Sequence, residues 1–259
     1  MSAGLRQRAG KLFLPWAFPL AVIAAWEAAS QAGLITPRLL PAPSAVAVAF
    51  WENARSGVLL HHMAISAGRA LCGLLIGGAI GFALGVLNGV LRPAETVLDS
   101  SMQMLRNVPH LAIIPLVILW FGIGEEAKIF LVAIGVAFPI YLNTFHGIRG
   151  VDAGLIEMAR VYGLGPWALF WRVILPGALP SVLVGLRFSL GIMWLTLIVS
   201  ESIAASSGIG HMANNAREFM MTDVVVLSLV VYAVLGKVAD IVARTLERRM
   251  LRWNPVYQR

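Results

Sequence analysis

Apolar residues run through this chain in stretches too long and too uninterrupted for a water-soluble core. Ala70 to Leu91, Asn107 to Gly124 and Ile129 to Gly147 each approach the length at which a helix crosses the hydrocarbon of a bilayer. A membrane β-barrel would show short alternating segments instead. The pattern predicts an all-α polytopic membrane protein of about six spans, near 12–32, 66–91, 104–121, 128–145, 181–202 and 224–242.

One stretch breaks the rule. Between Glu157 and Pro176 the sequence EMARVYGLGPWALFWRVILP mixes charge, glycine and proline with apolar residues, which no spanning helix does. Leu155, Met158, Ala159 and Tyr162 fall at i, i+3, i+4 and i+7, predicting a short amphipathic helix capped by Asp152 and closed by Gly163 in the left-handed conformation. Pro166 suits the first turn of a second helix, and Pro176 is expected to end it. Two short helices on a glycine turn make a rigid knob. Its alternative is an interfacial helix lying on lipid with no partner.

Within the spans, Gly73, Gly77, Gly81, Gly85 and Gly89 recur every fourth residue, a ridge that admits another helix backbone at close range. Tight packing is the favoured reading, with a glycine-lined path as the alternative. Arg106 and His110 stand four apart and are expected to share a face, as a positive patch for an anion or with Arg106 snorkelling to the headgroups. Pro139 kinks the fourth span, and Asn143 and Thr144 beyond it suit either a path lining or interhelical hydrogen bonds. Trp194 and Glu201 complete the candidate path, Glu201 being the carboxylate placed inside the membrane or at its outer interface.

Composition sharpens these readings. The 259 residues are 59% hydrophobic and 13% charged, with a net charge of +7. The basic residues lie between and beyond apolar runs, which argues for topology and against nucleic acid. With the N-terminus inside, twelve Lys and Arg residues, from Arg6 through Arg149, Arg160 and Arg172 to Arg259, face the cytoplasm, against four outside: Arg38, Arg55, Lys128 and Arg217. Both termini and the knob are therefore expected on the cytoplasmic side. Arg6, Arg8 and Lys11 ahead of Leu12–Ala25 read as the flank of an uncleaved first helix. The single Cys72 reads as a small buried hydrophobe. A nucleotide-cradling G-x-x-x-x-G-K-[ST], a G-x-S-x-G, an H-E-x-x-H and paired cysteines are all missing from the sequence, so catalytic and metal readings have little support and the energy source is expected in another polypeptide. A self-contained ion-coupled carrier is the alternative.

The stretch from Glu157 resembles the EAA motif of ABC-importer permeases, with Glu157, Ala159, Gly163, Leu175 and Pro176 matching, Met158 in place of alanine and Val173 in place of isoleucine. SMQMLRNVPHLAIIPLVILWFGIG, PIYLNTFHGIR and the closing RWNP look like the membrane subunit of aliphatic-sulfonate importers, within a group that also handles taurine, nitrate and pyrimidine precursors. The resemblance implies a type I importer permease in the bacterial inner membrane. It further implies a homodimer, two cytoplasmic ATPase subunits that use ATP and Mg, a periplasmic substrate-binding protein and surrounding lipid, with no cofactor bound by this chain. Glu157, Met158, Ala159, Tyr162, Gly163, Leu175 and Pro176 would couple to the ATPase. The expected domains are 1–63 (first helix and periplasmic connector), 64–246 (permease core with coupling loop 150–180) and 247–259 (basic tail).

Overall fold

The computed structural model describes the backbone of residues 3–254 and the side chains of 17–254, apart from 99, 103, 105, 106 and 204. Every regular element among the described residues is helical. The chain divides into two compact units, Met1–His62 with Met212–Val231, and Met63–His211 with Tyr232–Arg259.

In the first unit, α1 (Ala3–Gln31) is followed by α2 (Pro43–Arg55), which starts with its proline in the first turn, where no N–H is needed. Glu27 pins the two together: its carboxylate accepts from Ser44 N at 2.9 Å, Ser44 Oγ at 2.8 Å and Gln31 Nε2 at 2.8 Å.

The second unit is organised on α3 (Val58–Val90), α6 (Glu125–Arg149), α9 (Leu175–Ala204) and α11 (Thr222–Met250), of which α3 and α11 begin in the first unit. The runs Val58–Val90, Glu125–Arg149, Pro166–Ile203 and Thr222–Met250 are each long and apolar enough to cross a membrane. The glycine ridge of α3 meets α6. Gly73 faces Val132, Gly77 faces Ala133, Gly81 faces Ala137, Gly85 faces Thr144, and Gly89 faces Ile148. A methyl on Gly77 would run into the backbone of Ala133 and one on Gly81 into that of Ala137, while at Gly85 and Gly89 it would lie 2.6 Å from Thr144 Cβ and 2.8 Å from Ile148 Cβ, so the close approach leaves no room for side chains. Residue numbers rise together along this seam, so α3 and α6 run parallel. Along α6 and α9 they run in opposite senses: Gly135 meets Thr196, Pro139 meets Gly185 and Gly147 meets Ser181. Between the seams, Ala70, Val132, Val136, Ile140, Met193 and Leu197 form a buried apolar cluster.

Parallel α3 and α6 require the chain to return across the membrane between them, and the return is broken. The third span is not one helix from Met104 to Phe121. It comprises the amphipathic α4 (Arg92–Asn107), a 3₁₀ turn (His110–Ile113) and α5 (Ile114–Phe121). Pro109, at φ −62° and ψ 111°, cannot continue a helix and interrupts the run. Arg106 and His110 therefore stand on different elements rather than on one face, and the side chain of Arg106 lies outside the described residues. Cys72 also departs from expectation: with Leu71, Leu75 and Ile76 it lies on the exposed apolar flank of α3, the surface that lipid would cover.

Candidate functional site

The knob starts from local rules. Asp152 caps α7 (Ala153–Val161), its Oδ1 accepting from Gly154 N at 2.6 Å and Leu155 N at 3.4 Å. Gly163, at φ +79°, ends it: Leu164 N bonds Ala159 O at 3.1 Å and Gly163 N bonds Arg160 O at 2.9 Å, the paired closure that a left-handed residue permits. Pro166 opens α8 (Pro166–Leu169) in the first turn.

Pro176 does not stop the second helix. The chain runs from α8 through a π turn (Phe170–Ile174) into α9 without a break. Leu175 N reaches back five residues to Phe170 O, and the widened turn accommodates a proline ring that would collide with a normal preceding turn. The second half of the knob is thus one end of a helix long and apolar enough to span a membrane.

Glu157 is exposed, as are Leu155, Met158, Tyr162 and Trp167, while Ala159 is buried and seats α7 rather than presenting a surface. Met158 and Pro176, with Leu155, Arg172, Val173, Gly177 and Trp253, line a shallow cavity of about 380 Å³. Leu175 and Pro176 are half-buried.

A second cavity, about 410 Å³, lies where the return segment breaks. Met102, Val108 and Ile113 wall it with Phe138 and Pro139 of α6 and Ile192 of α9. Such a non-helical break is tolerated in a membrane where it is covered by protein or lines a cavity. His110 also faces this cavity, and its Nε2 lies 3.0 Å from Thr196 Oγ1. Asn143 hydrogen-bonds within its own helix, to Pro139 O at 2.9 Å, with Gly185 against its Cβ. Thr144 is fully buried against Gly85. Trp194 packs edge-on to Tyr232, ring centroids 6.2 Å apart.

Glu201 is 1% exposed and belongs to a buried ion cluster. Arg69 Nη1 donates to Glu201 Oε1 at 2.7 Å and to Ser207 O at 2.7 Å, while its Nε and Nη2 hold both oxygens of Glu125 at 2.5 and 2.6 Å. Tyr232 Oη and Gly210 N, in the first turn of α10 (Ile209–Glu218), each donate to Glu201 Oε2 at 2.9 Å. Ser66 Oγ lies 2.8 Å from each Glu201 oxygen and accepts from Ile209 N at 2.9 Å. Lys128 Nζ sits 3.3 Å from Glu125. The cluster joins the outer ends of α3, α6 and α9 to α10 and α11. Sequence reasoning singled out Glu201 but none of Ser66, Arg69, Glu125 and Tyr232 as its partners.

Parallel and antiparallel apolar helices packed on a glycine seam, and a short-helix knob continuous with one of them, are the build of a membrane transport subunit. The chain belongs to the family of binding-protein-dependent transport system inner membrane components, whose model matches residues 73–252. It is 60% identical, over 94% of its length and 92% of the relative's, to the putative aliphatic sulfonates transport permease protein SsuC of Escherichia coli (strain K12). It is 44% identical, over 98% and 94%, to the protein of the same name in Bacillus subtilis (strain 168). The taurine transport system permease protein TauC of Escherichia coli (strain K12) is 32% identical over 98% of both chains. The fold resembles that of an amino acid ABC transporter solved with histidines (TM-score 0.62, 18% identity, 77% of this chain and 97% of that one). It also resembles that of the MetNI methionine ABC transporter (TM-score 0.57, 20% identity, 73% and 95%).

Proposed function

We propose that this chain is the permease subunit of an ATP-driven importer of aliphatic sulfonates. One observation carries the reading: the second half of the knob that matches the coupling motif belongs to a continuous run, Pro166–Ile203, that is long and apolar enough to cross a membrane. The 60% identity to an aliphatic sulfonates permease supports the choice of substrate.

In this reading two copies of the chain form the path, two cytoplasmic ATPase subunits bind ATP and Mg²⁺, and a periplasmic binding protein delivers the anion. The chain itself contributes no ATPase site. ATP binding closes the partner subunits, which move the knob through Glu157, Met158 and Tyr162, with Gly163 setting the turn, Ala159 seating α7, and Leu175 and Pro176 carrying the motion into α9. Differential affinity of the ATPase for two knob positions supplies the coupling energy. The path then alternates between inward and outward access. The cavity beside His110 suits an amphiphile, with apolar walls for an alkyl chain and the His110–Thr196 pair for an anionic head. No carboxylate lies among its described lining residues, which favours an alkanesulfonate over an aminated one such as taurine.

The test is uptake of ethanesulfonate by cells carrying the permease, ATPase and binding protein. Glu157→Lys and Gly163→Pro are expected to reduce uptake by at least about tenfold and to abolish ATPase co-purification, with membrane insertion intact. Normal co-purification of both variants would remove the docking assignment. Uptake of taurine with no uptake of ethanesulfonate by the parent protein would remove the substrate.

A further inference from the structure

An ion cluster at the opposite, inner end of the membrane takes no part in the coupling knob. Asp240 of α11 accepts from Arg187 Nε of α9 at 2.9 Å and from Arg244 Nε at 2.9 Å, and Lys237 Nζ stands 3.7 Å from it. Three cations surround one carboxylate, so two positive charges are in excess. All three cations reach solvent or lipid, with side-chain exposures of 42% for Arg187, 67% for Lys237 and 50% for Arg244. Both arginines engage Asp240 through Nε rather than through their terminal nitrogens.

Depth identifies what faces them. At 1.5 Å per residue, Lys237, Asp240 and Arg244 lie about 22, 27 and 33 Å along α11 from Thr222, its outer end, and Arg187 about 24 Å along α9 from Ile203. A hydrocarbon core is about 30 Å thick, so with the outer helix ends at its outer boundary the cluster lies at the inner end of the core, from which arginine and lysine side chains extend to the phosphates of the cytoplasmic leaflet. Above it runs an open groove of about 440 Å³, floored by Arg187 and Asp240 and walled by Val184, Phe188, Leu190, Gly191 and Gly236. Side chains added at Gly191 or Gly236 would meet nothing within 4 Å. The groove is open and walled mainly by apolar residues, with Arg187 and Asp240 at its charged floor.

We propose that this groove binds one anionic phospholipid of the inner leaflet, its phosphodiester on Arg187, Lys237 and Arg244 and an acyl chain lying past Gly191 and Gly236. A basic pocket between spanning helices on the cytoplasmic side has the chemistry for such a headgroup. Asp240 holds the three cations in position and keeps them from repelling one another before lipid arrives.

The test uses the full-length protein in its native complex, reconstituted in phosphatidylcholine with about one fifth phosphatidylglycerol, with retained lipid quantified by mass spectrometry after partial delipidation. Arg187→Gln and Arg244→Gln are each expected to lower phosphatidylglycerol enrichment about fivefold, the effect of one surface cation, whereas Arg187→Lys retains most of it. Gly236→Leu, which keeps every charge and projects into open space, is expected to lower retention of the lipid by filling the groove. Unchanged enrichment in both charge variants overturns the proposal. So does displacement of phosphatidylglycerol by millimolar ethanesulfonate or inorganic phosphate, which would make the site one for a free anion. Loss of self-association in Gly236→Leu with lipid retention unchanged would also overturn it, assigning the groove to a second copy of the chain.

Discussion

At the scale of single residues, Glu201 shows how a charge is kept inside a membrane protein. Its two oxygens meet Arg69, Ser66, Tyr232 and the Gly210 N–H, and Arg69 is in turn held by Glu125 and Ser207. With every partner in place the desolvation of both ions is offset; with one removed it is not. Glu201→Gln should destabilise the fold by about 3–5 kcal/mol, because Arg69 then keeps only the half-exposed Glu125 as counter-charge. Thermal unfolding in detergent, followed by tryptophan fluorescence, is expected to show a clear drop in midpoint, with Tyr232→Phe falling by less. An unchanged midpoint for Glu201→Gln would mean the cluster does not hold the outer helix ends. A lone acid in an apolar run stood out in the sequence. Its partners did not, because Ser66 and Arg69 lie more than 130 positions away and nothing local announces the pairing.

Individual helices were legible to different degrees, for physical reasons. The four-residue glycine repeat announced a close crossing, and the structure supplies the mate, α6, through contacts at Gly73, Gly77, Gly81, Gly85 and Gly89. Gly81→Leu is expected to cut the yield of folded protein severalfold, measured by size-exclusion chromatography, because its side chain would enter the Ala137 backbone. Gly191→Leu, with open space around it, should leave yield unchanged. Equal yields would show that the seam is looser than described. Asp152 and Gly163 acted as the sequence implied, since capping and a left-handed turn depend on neighbours only. Prolines misled in both directions. Pro109 broke an apolar run that composition alone presents as continuous, whereas Pro176 was absorbed by a π turn whose formation depends on the backbone geometry of five residues.

For the molecule as a whole, hydropathy was enough to find the long apolar helices, because the bilayer acts on each segment separately. Which helices neighbour which, and in what sense they run, was not available from it. Proteoliposomes containing this chain alone should take up no ethanesulfonate under an imposed proton or sodium gradient. Adding the ATPase subunits and binding protein should yield ATP-dependent accumulation. Gradient-driven uptake by the chain alone would instead establish a self-contained carrier.

The uninterrupted run from Pro166 to Ile203 has a mechanical implication. It starts among the residues expected to meet the ATPase and ends two positions past Glu201, so one rod joins the inner handle to the outer ionic clasp. Between Trp167 and Glu201 it measures about 51 Å, and a tilt of about 5° around the inner end would carry the far end about 4 Å, further than a hydrogen bond stretches. A lever of that length turns a small push from below into the opening of a lock above.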